Sequence, residues 1–271
     1  MSAQDEVVPL QGGRSNHVWH VRGRSDAVVK VFDRSSRNPM FENDPRHEAI
    51  CLMRLAGTGM VPKFVGTGEF DGWTWLIYRH LIGQPWVQQT EQVAHLLGRL
   101  HDQTAPEGFA LGVNGSEALA TQTYSILHRC AGSQVQTLLD LRPNGHVEPS
   151  SQTSLIHGDP VPGNLLVHDG TLTLIDWQCP KNGDPAEDLA IFASPAMQSL
   201  YRGRPLSETE TAEFLAAYPN PLVARRYLRL SKWYHWRMAA YCLWKTQQGH
   251  ADYSEAMELE IAELRRSVHE A

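Results

Sequence analysis

Leu155-Ile156-His157-Gly158-Asp159-Pro160-Val161-Pro162-Gly163-Asn164-Leu165-Leu166-Val167, continued by Leu174-Ile175-Asp176-Trp177, is the stretch whose reading decides the fold. It sets a carboxylate, an amide and a second carboxylate at tight spacing between apolar, β-like flanks. Those are the three groups that a metal–nucleotide phosphotransfer site requires. Asp159 can accept a proton from an attacking hydroxyl. Asn164 and Asp176 can hold Mg²⁺ against the phosphates of ATP, because Mg²⁺ takes hard oxygen ligands and keeps some of its waters. The five-residue step from Asp159 to Asn164 lets the loop turn back, and Asp176 closes the second strand of a hairpin that turns at His168-Asp169-Gly170. His157 reads as a brace for the loop rather than a titrating group.

Upstream of this hairpin the pattern is β-rich. Val18 to Arg22 and Ala27 to Phe32 alternate as strands around Gly23-Arg24-Ser25-Asp26, which is a hairpin signal. Val61 to Gly66 and Trp73 to Tyr78 read as two more strands, turning at Glu69-Phe70-Asp71-Gly72. Between the pairs, Asn43-Asp44-Pro45 opens a helix that Gly57 stops. Lys30 sits inside the apolar strand Ala27 to Phe32, so it faces water at an edge or has a partner. Glu48 on the following helix is the obvious partner, and such a pair holds a lysine against the α and β phosphates. Gly12 and Gly13 lie upstream on the same hairpin. They make either a plain turn or a place where backbone amides approach phosphate closely.

After Gly83 the pattern becomes helical: Gln92 to Asp102, Ala118 to Leu141, Ser207 to Tyr218, Leu222 to Thr246 and Ser254 to Val268. Ser207 and Glu210 supply a capping box for the third of these. The division is thus a β-rich N-lobe over residues 1–82 and a helical C-lobe over 83–271 that holds the acidic hairpin. The expected class is α+β, with the ligand at the link near Leu81 to Gly83.

Composition narrows the partners. The chain has 271 residues, 42% of them apolar, and a formal net charge of -6, which speaks against general affinity for nucleic acid or an anionic membrane. The N-terminus lacks the basic and apolar regions of a secretory signal, and no apolar run is long enough to span a bilayer. The four cysteines are scattered, as expected of reduced cytoplasmic thiols, and none of the 13 histidines falls in a ligand motif such as HExxH. No oligomeric interface is legible.

These residues resemble the aminoglycoside phosphotransferase and choline kinase family, small-molecule relatives of the protein kinases. The resemblance runs from the Gly-Gly loop and Asn16 through Lys30, Glu48, Leu81-Ile82-Gly83, the His157 to Asn164 loop and Ile175-Asp176-Trp177 to Gly183-Asp184-Pro185 and Asp188-Leu189-Ala190. It implies a bilobal kinase-like fold with ATP and Mg²⁺ in the cleft and adenine at the backbone of Arg79, His80 and Leu81. It implies Asp159 as base, Asn164 and Asp176 as metal ligands, and Asp188 as an anchor of the catalytic loop. Gly158 stands where protein kinases have arginine, and only Trp177 to Glu187 separate Asp176 from Asp188, too short a segment to dock a peptide. The expected acceptor is therefore a small molecule with a hydroxyl. An amino alcohol such as choline or ethanolamine, or a thiamine-like compound, comes first, an aminoglycoside second, and a silent nucleotide-binding scaffold is the reading outside enzymology. Trp233 and Trp236 either wall a cationic acceptor's pocket or pack the C-lobe, and Asp184 either attracts such an acceptor or belongs to a solvated acidic surface.

Overall fold

The structure is a computed structural model that describes residues 6–10, 16–23, 25–33 and 38–269, with side chains to 266. Its contacts group the chain into two compact units, Met1–Trp86 with Gly163–Pro180, and Val87–Pro162 with Lys181–Ala271. The expected boundary after residue 82 falls just inside the first unit. The 163–180 hairpin, assigned above to the C-lobe, shares its contacts with the β-rich part instead.

The first unit is built on an antiparallel sheet of β1 (Glu6–Pro9), β2 (Asn16–Arg22), β3 (Ala27–Phe32), β4 (Phe64–Phe70) and β5 (Trp73–Arg79), in the order β1-β2-β3-β5-β4. The central strand β3 is rich in β-branched residues and alternates from Val28 onward. Val28, Lys30 and Phe32 are buried on one face, while Val29 and Val31 are half-buried on the other. Register places Lys30 across from Val18 of β2 and Leu76 of β5. Helix α1 (Pro45–Arg54) begins where expected: the Asp44 carboxylate accepts from the backbone N–H groups of Arg46 and His47, and Pro45 takes the first position. Its buried row, Glu48, Cys51, Leu52 and then Leu55, follows helical spacing. The short strands β6 (Gln84–Pro85), β8 (Leu165–His168) and β9 (Thr171–Leu174) form a second sheet in the order β6-β8-β9.

In the second unit β7 (Ser154–Ile156) pairs with β10 (Lys181–Gly183), among the helices α2 (Thr90–His101), α3 (Ser116–Leu127), α4 (Ser133–Asp140), α5 (Pro185–Ala193), α6 (Pro195–Arg202), α7 (Glu208–Ala217), α8 (Pro221–Gln247) and α9 (Asp252–His269). The single helix expected over 118–141 is two: α3 stops at Leu127, and the chain takes φ +90° at Gly132 before α4 starts. The capping box of Ser207 and Glu210 is present at α7.

Helix α8 runs through the middle of this unit, packed by α3, α4, α5, α7 and α9. From Trp233 to Leu243 it is buried nearly all round, which is why its apolar residues show no single stripe. Trp236 is fully buried, meets Tyr124 edge-on at 5.4 Å and donates from Nε1 to the Leu138 carbonyl at 2.6 Å. Trp233 packs edge-on against Trp236 at 6.1 Å. Of the two roles weighed for these rings the structure gives the second: they are core, with no open face to stack on an acceptor. No helix among the described residues is long and apolar enough to cross a membrane.

One buried carboxylate ties three helices of this unit together. Glu260 of α9 is fully buried and accepts from the Ser194 hydroxyl, from the Ala196 N–H at 3.2 Å and from His235 Nδ1 of α8 at 2.6 Å. Glu260→Ala would leave those donors buried without an acceptor, and urea unfolding is expected to show a loss of about 3–5 kcal/mol. A loss below about 1 kcal/mol would mean that water replaces the carboxylate and the site is not closed.

Candidate active site

Two groups of chemistry-bearing side chains stand out, one in each unit. In the first, β3 delivers Lys30 and α1 delivers Glu48. The Lys30 Nζ donates to Glu48 Oε2 at 2.6 Å, and also to Asp176 Oδ1 just beyond β9. Lys30 and Glu48 are 3% and 1% exposed, whereas Asp176 is 31% exposed, so the triad opens to solvent through the aspartate. Burial opposes the Lys30 charge, but the carboxylates of Asp176 and Glu48 outweigh it and hold the ammonium's pKa above the usual lysine value. Burial raises the pKa of Glu48, against the pull of Lys30, and the Asp176 charge adds to the rise. With Glu48 ionised, two carboxylates around one ammonium leave a net negative charge, which is a setting for a divalent cation.

The backbone around Asp176 explains how it reaches this position. Strands β8 and β9 pair Leu165 with Leu174, and the ladder continues one step as the Ile175 N–H donates to the Asn164 carbonyl at 2.9 Å. Asn164 and Asp176 thus leave the same end of one hairpin. Asp176 itself takes φ +63°, a left-handed backbone uncommon outside glycine, of the kind that gathers at functional sites. After it, Trp177 donates from Nε1 to the Leu174 carbonyl at 3.0 Å, and the Gln178 carbonyl accepts from the Asp44 N–H at the start of α1 at 2.9 Å. Asn164 and Asp176 offer an amide oxygen and a carboxylate, the hard donors that Mg²⁺ or Ca²⁺ accepts, so the donor chemistry fits a divalent ion.

Asn16, expected beside the nucleotide, is hydrogen-bonded within the protein. Its Nδ2 donates to Asn43 Oδ1 at 2.8 Å and to Gln178 Oε1 at 2.7 Å, while its Oδ1 accepts from the Asp33 N–H at 3.1 Å and from Asn43 Nδ2 at 2.9 Å. That uses the capacity of the amide in a clasp joining β2 to the ends of α1 and the Asp176 segment. Gly12 and Gly13 lie outside the described residues. Arg79 donates its N–H to the Lys63 carbonyl at 2.8 Å and its guanidinium to the Ser25 carbonyl, and the His80 N–H donates to the Asp26 carbonyl at 3.1 Å. These two backbone donors therefore serve the sheet, and Leu81 follows them where the chain leaves β5.

In the second unit, β7 runs into His157-Gly158-Asp159. The Asp188 carboxylate, on the first turn of α5 and fully buried, accepts from the His157 and Gly158 N–H groups at 2.8 Å each. Gly158 has φ +79°, a conformation that a side chain would strain, and this is a local reason for glycine before the aspartate. The Asp159 N–H donates to His157 Nδ1 at 3.2 Å, so the imidazole braces the loop as expected, with its proton on the other nitrogen. Asp159 is half-buried.

Two further residues hold this anchor. His101, at the end of α2, meets Asp188 Oδ2 through Nε2 at 3.0 Å and the Tyr218 hydroxyl through Nδ1 at 2.7 Å. The sequence holds a faint sign of this, a histidine next to Leu100 at the end of an apolar helix, but its partners lie 87 and 117 residues away. Asp184 is also an inside residue. It caps α5 by accepting from the Ala186 N–H at 3.1 Å and pairs with Arg226 Nε at 2.6 Å. Burial raises its pKa, and Arg226 pulls against that rise. It is 1% exposed, so it belongs to neither a solvated acidic surface nor an open wall, and these two partners are structural.

The comparisons follow this geometry. The sequence profile of the phosphotransferase enzyme family matches residues 6–228. No curated protein shows a significant sequence match. Among solved structures, a choline/ethanolamine kinase family protein from Mesorhizobium loti aligns with a TM-score of 0.64 and 16% identity, covering 96% of this chain and 87% of that one. An aminoglycoside-3'-phosphotransferase of type VIII aligns at 0.53 and 18%, covering 85% and 94%. The amicoumacin kinase hAmiN, in complex with AMP-PNP and Ca²⁺, aligns at 0.59 and 15%, covering 94% and 88%. At these identities the likenesses establish the fold, that of protein-kinase-like small-molecule kinases.

The triad makes a pH prediction. Lys30→Met removes the cation and leaves Glu48 buried near Asp176. The folded-state pKa of Glu48 then rises further above its ordinary value, so the folded state binds a proton that the unfolded state releases, and stability falls as pH rises through that window. Urea unfolding at about pH 5 and about pH 8 is expected to show a steeper decline in the variant than in the parent, about 1.4 kcal/mol for each unit of added displacement. Equal declines would show that Lys30 does not set the protonation of Glu48.

Proposed function

The chain belongs to the phosphotransferase enzyme family, and we propose that it moves the γ-phosphate of ATP to a hydroxyl of a small, amine-bearing metabolite. The observation that carries this reading is the buried Lys30–Glu48–Asp176 triad, with Asn164 leaving the same hairpin end as Asp176. In this reading Lys30 holds the α and β phosphates, Asn164 and Asp176 bind Mg²⁺, and the metal neutralises charge on the phosphates. Asp159 takes the proton of the acceptor hydroxyl. Its loop is held by Asp188, and positioning matters more than basicity because phosphoryl transfer depends chiefly on placement and charge. Arg79, His80 and Leu81 remain the segment proposed for adenine, with Leu81 its best-placed backbone. A related fold binds AMP-PNP with Ca²⁺ in hAmiN, which supports the use of a nucleotide with a divalent ion.

For the acceptor, the first choice is an amino alcohol of the choline or ethanolamine kind, or a thiamine-like compound, and the second is an aminoglycoside. Choline, ethanolamine and aminoglycosides, the compounds in the names of two of the aligned proteins, all carry a hydroxyl near a cationic nitrogen. The net charge of -6 favours a cation over an anion as the incoming molecule.

The test is ADP release from Mg²⁺-ATP across a panel of choline, ethanolamine, thiamine, homoserine, sugars and aminoglycosides. One acceptor class is expected to stimulate release. Asp159→Asn should lower that rate by about 10²–10⁴-fold with ATP still bound, and Lys30→Ala should cost about 10²–10³-fold in kcat/KM. ATP binding with no stimulated release by any amine-bearing alcohol would favour a silent nucleotide-binding scaffold. Unchanged turnover in Asp159→Asn would remove Asp159 from the role of base.

A further inference from the structure

The link between β2 and β3 gathers three side chains that the phosphotransfer reading does not use. His20 of β2 lies across from Val28 of β3, and Val28 lies across from Tyr78 of β5. Asp26 lies just before β3 and His80 just after β5, beside the end of β2 that carries His20. His20 Nε2 is 2.7 Å from Asp26 Oδ1, and His80 Nδ1 is 3.7 Å from the same oxygen. The ligand atoms of all three residues lie within 4.8 Å of one another. The two imidazoles stack with centroids 3.7 Å apart and planes 21° apart. His80 Nδ1 is buried and has no hydrogen-bond partner.

A plain hydrogen-bonded staple explains the contact of His20 with Asp26. It does not explain the unpartnered nitrogen of the second imidazole, because a buried polar atom ordinarily finds a partner. We propose that His20, Asp26 and His80 bind one transition-metal ion of the zinc class, with solvent completing the coordination. Two imidazole nitrogens and one carboxylate oxygen are a donor set that suits Zn²⁺ and its d-block neighbours, whereas Mg²⁺ prefers oxygen alone. Neighbouring ligands around a tetrahedral ion with bonds of about 2.0–2.1 Å stand about 3.3 Å apart; the 2.7 and 3.7 Å separations from Asp26 to the two imidazoles bracket that spacing, and the stacked rings turn about their side-chain bonds to aim both nitrogens at one ion. Asp26 has a 47% exposed side chain against 10% for His20, so the carboxylate side is the entry for the ion.

The consequence is mechanical. The His80 N–H already donates to the Asp26 carbonyl, and an ion would add a side-chain tether between the same two segments. It would pin the end of β5 to the link between β2 and β3. The inference stands on these three residues and does not depend on the phosphotransfer reading.

The test is calorimetric titration of the full chain, stripped with EDTA, with Zn²⁺, alongside thermal unfolding. The parent is expected to bind one equivalent saturably and to unfold at a higher temperature with Zn²⁺, and Mg²⁺ in excess should not displace it. His80→Gln and Asp26→Asn, each verified as folded by circular dichroism, should each weaken binding about tenfold or more and lose the thermal shift. Zinc-edge X-ray absorption of the parent should show imidazole and oxygen scatterers. No saturable binding by the parent, binding retained in either variant, or sulfur scattering from a cysteine would overturn the proposal.

Discussion

The buried ammonium of Lys30, shared between Glu48 and Asp176, is the constraint on which the first unit depends. A lysine inside an apolar strand is tolerable only when its charge is met, and here β3, α1 and the end of β9 all converge on it. The interaction sets the position of α1 against the sheet and fixes where the β8–β9 hairpin ends. It also explains why Asp176 accepts a left-handed backbone. The strain there is outweighed by an ion pair on one side and by the Asp44–Gln178 backbone bond on the other. When Glu48 is ionised one cation faces two carboxylates, and the further positive charge that balances them is one the phosphotransfer reading supplies.

The second unit repeats the principle with different chemistry. Asp188 collects two backbone N–H groups of the His157-Gly158-Asp159 loop and one imidazole, and Tyr218 secures that imidazole in turn. The loop carrying Asp159 is thus held by a buried carboxylate that itself does not need to react. Around it, α8 is buried on nearly every side in its middle: Arg237 is met by Glu187, and Trp236 satisfies its one polar atom on the Leu138 carbonyl.

What the sequence disclosed depended on the range of the interaction. The strands β2, β3 and β5, the cap at Asp44-Pro45 and the capping box at Ser207 are local patterns, and all were legible. The pairing of Lys30 with Glu48 was legible because a charge in an apolar strand demands an explanation. Strand β4 runs over Phe64–Phe70 rather than 61–66, because its extent is set by pairing with β5 through the Asp71-Gly72 turn and not by its own apolar residues. The break at Gly132 was hidden by apolar spacing that continues on both sides of it. The clasp of Asn16 with Gln178 spans 162 residues, and the anchor of Asp188 on His101 spans 87. The first leaves no local trace, and the second only a histidine at the end of an apolar helix. Trp233 and Trp236 show the same limit from the other side: an aromatic on a helix reads alike whether it walls a pocket or fills a core.

The most direct measurement of the central claim is a crystal structure with Mg²⁺ and AMP-PNP. The account predicts one Mg²⁺ at about 2.0–2.1 Å from the Asn164 amide oxygen and from the Asp176 carboxylate, with the Lys30 ammonium on a phosphate oxygen and Glu48 still paired to it. Nucleotide bound with its phosphates away from Lys30, or a metal ion held by other residues, would contradict it.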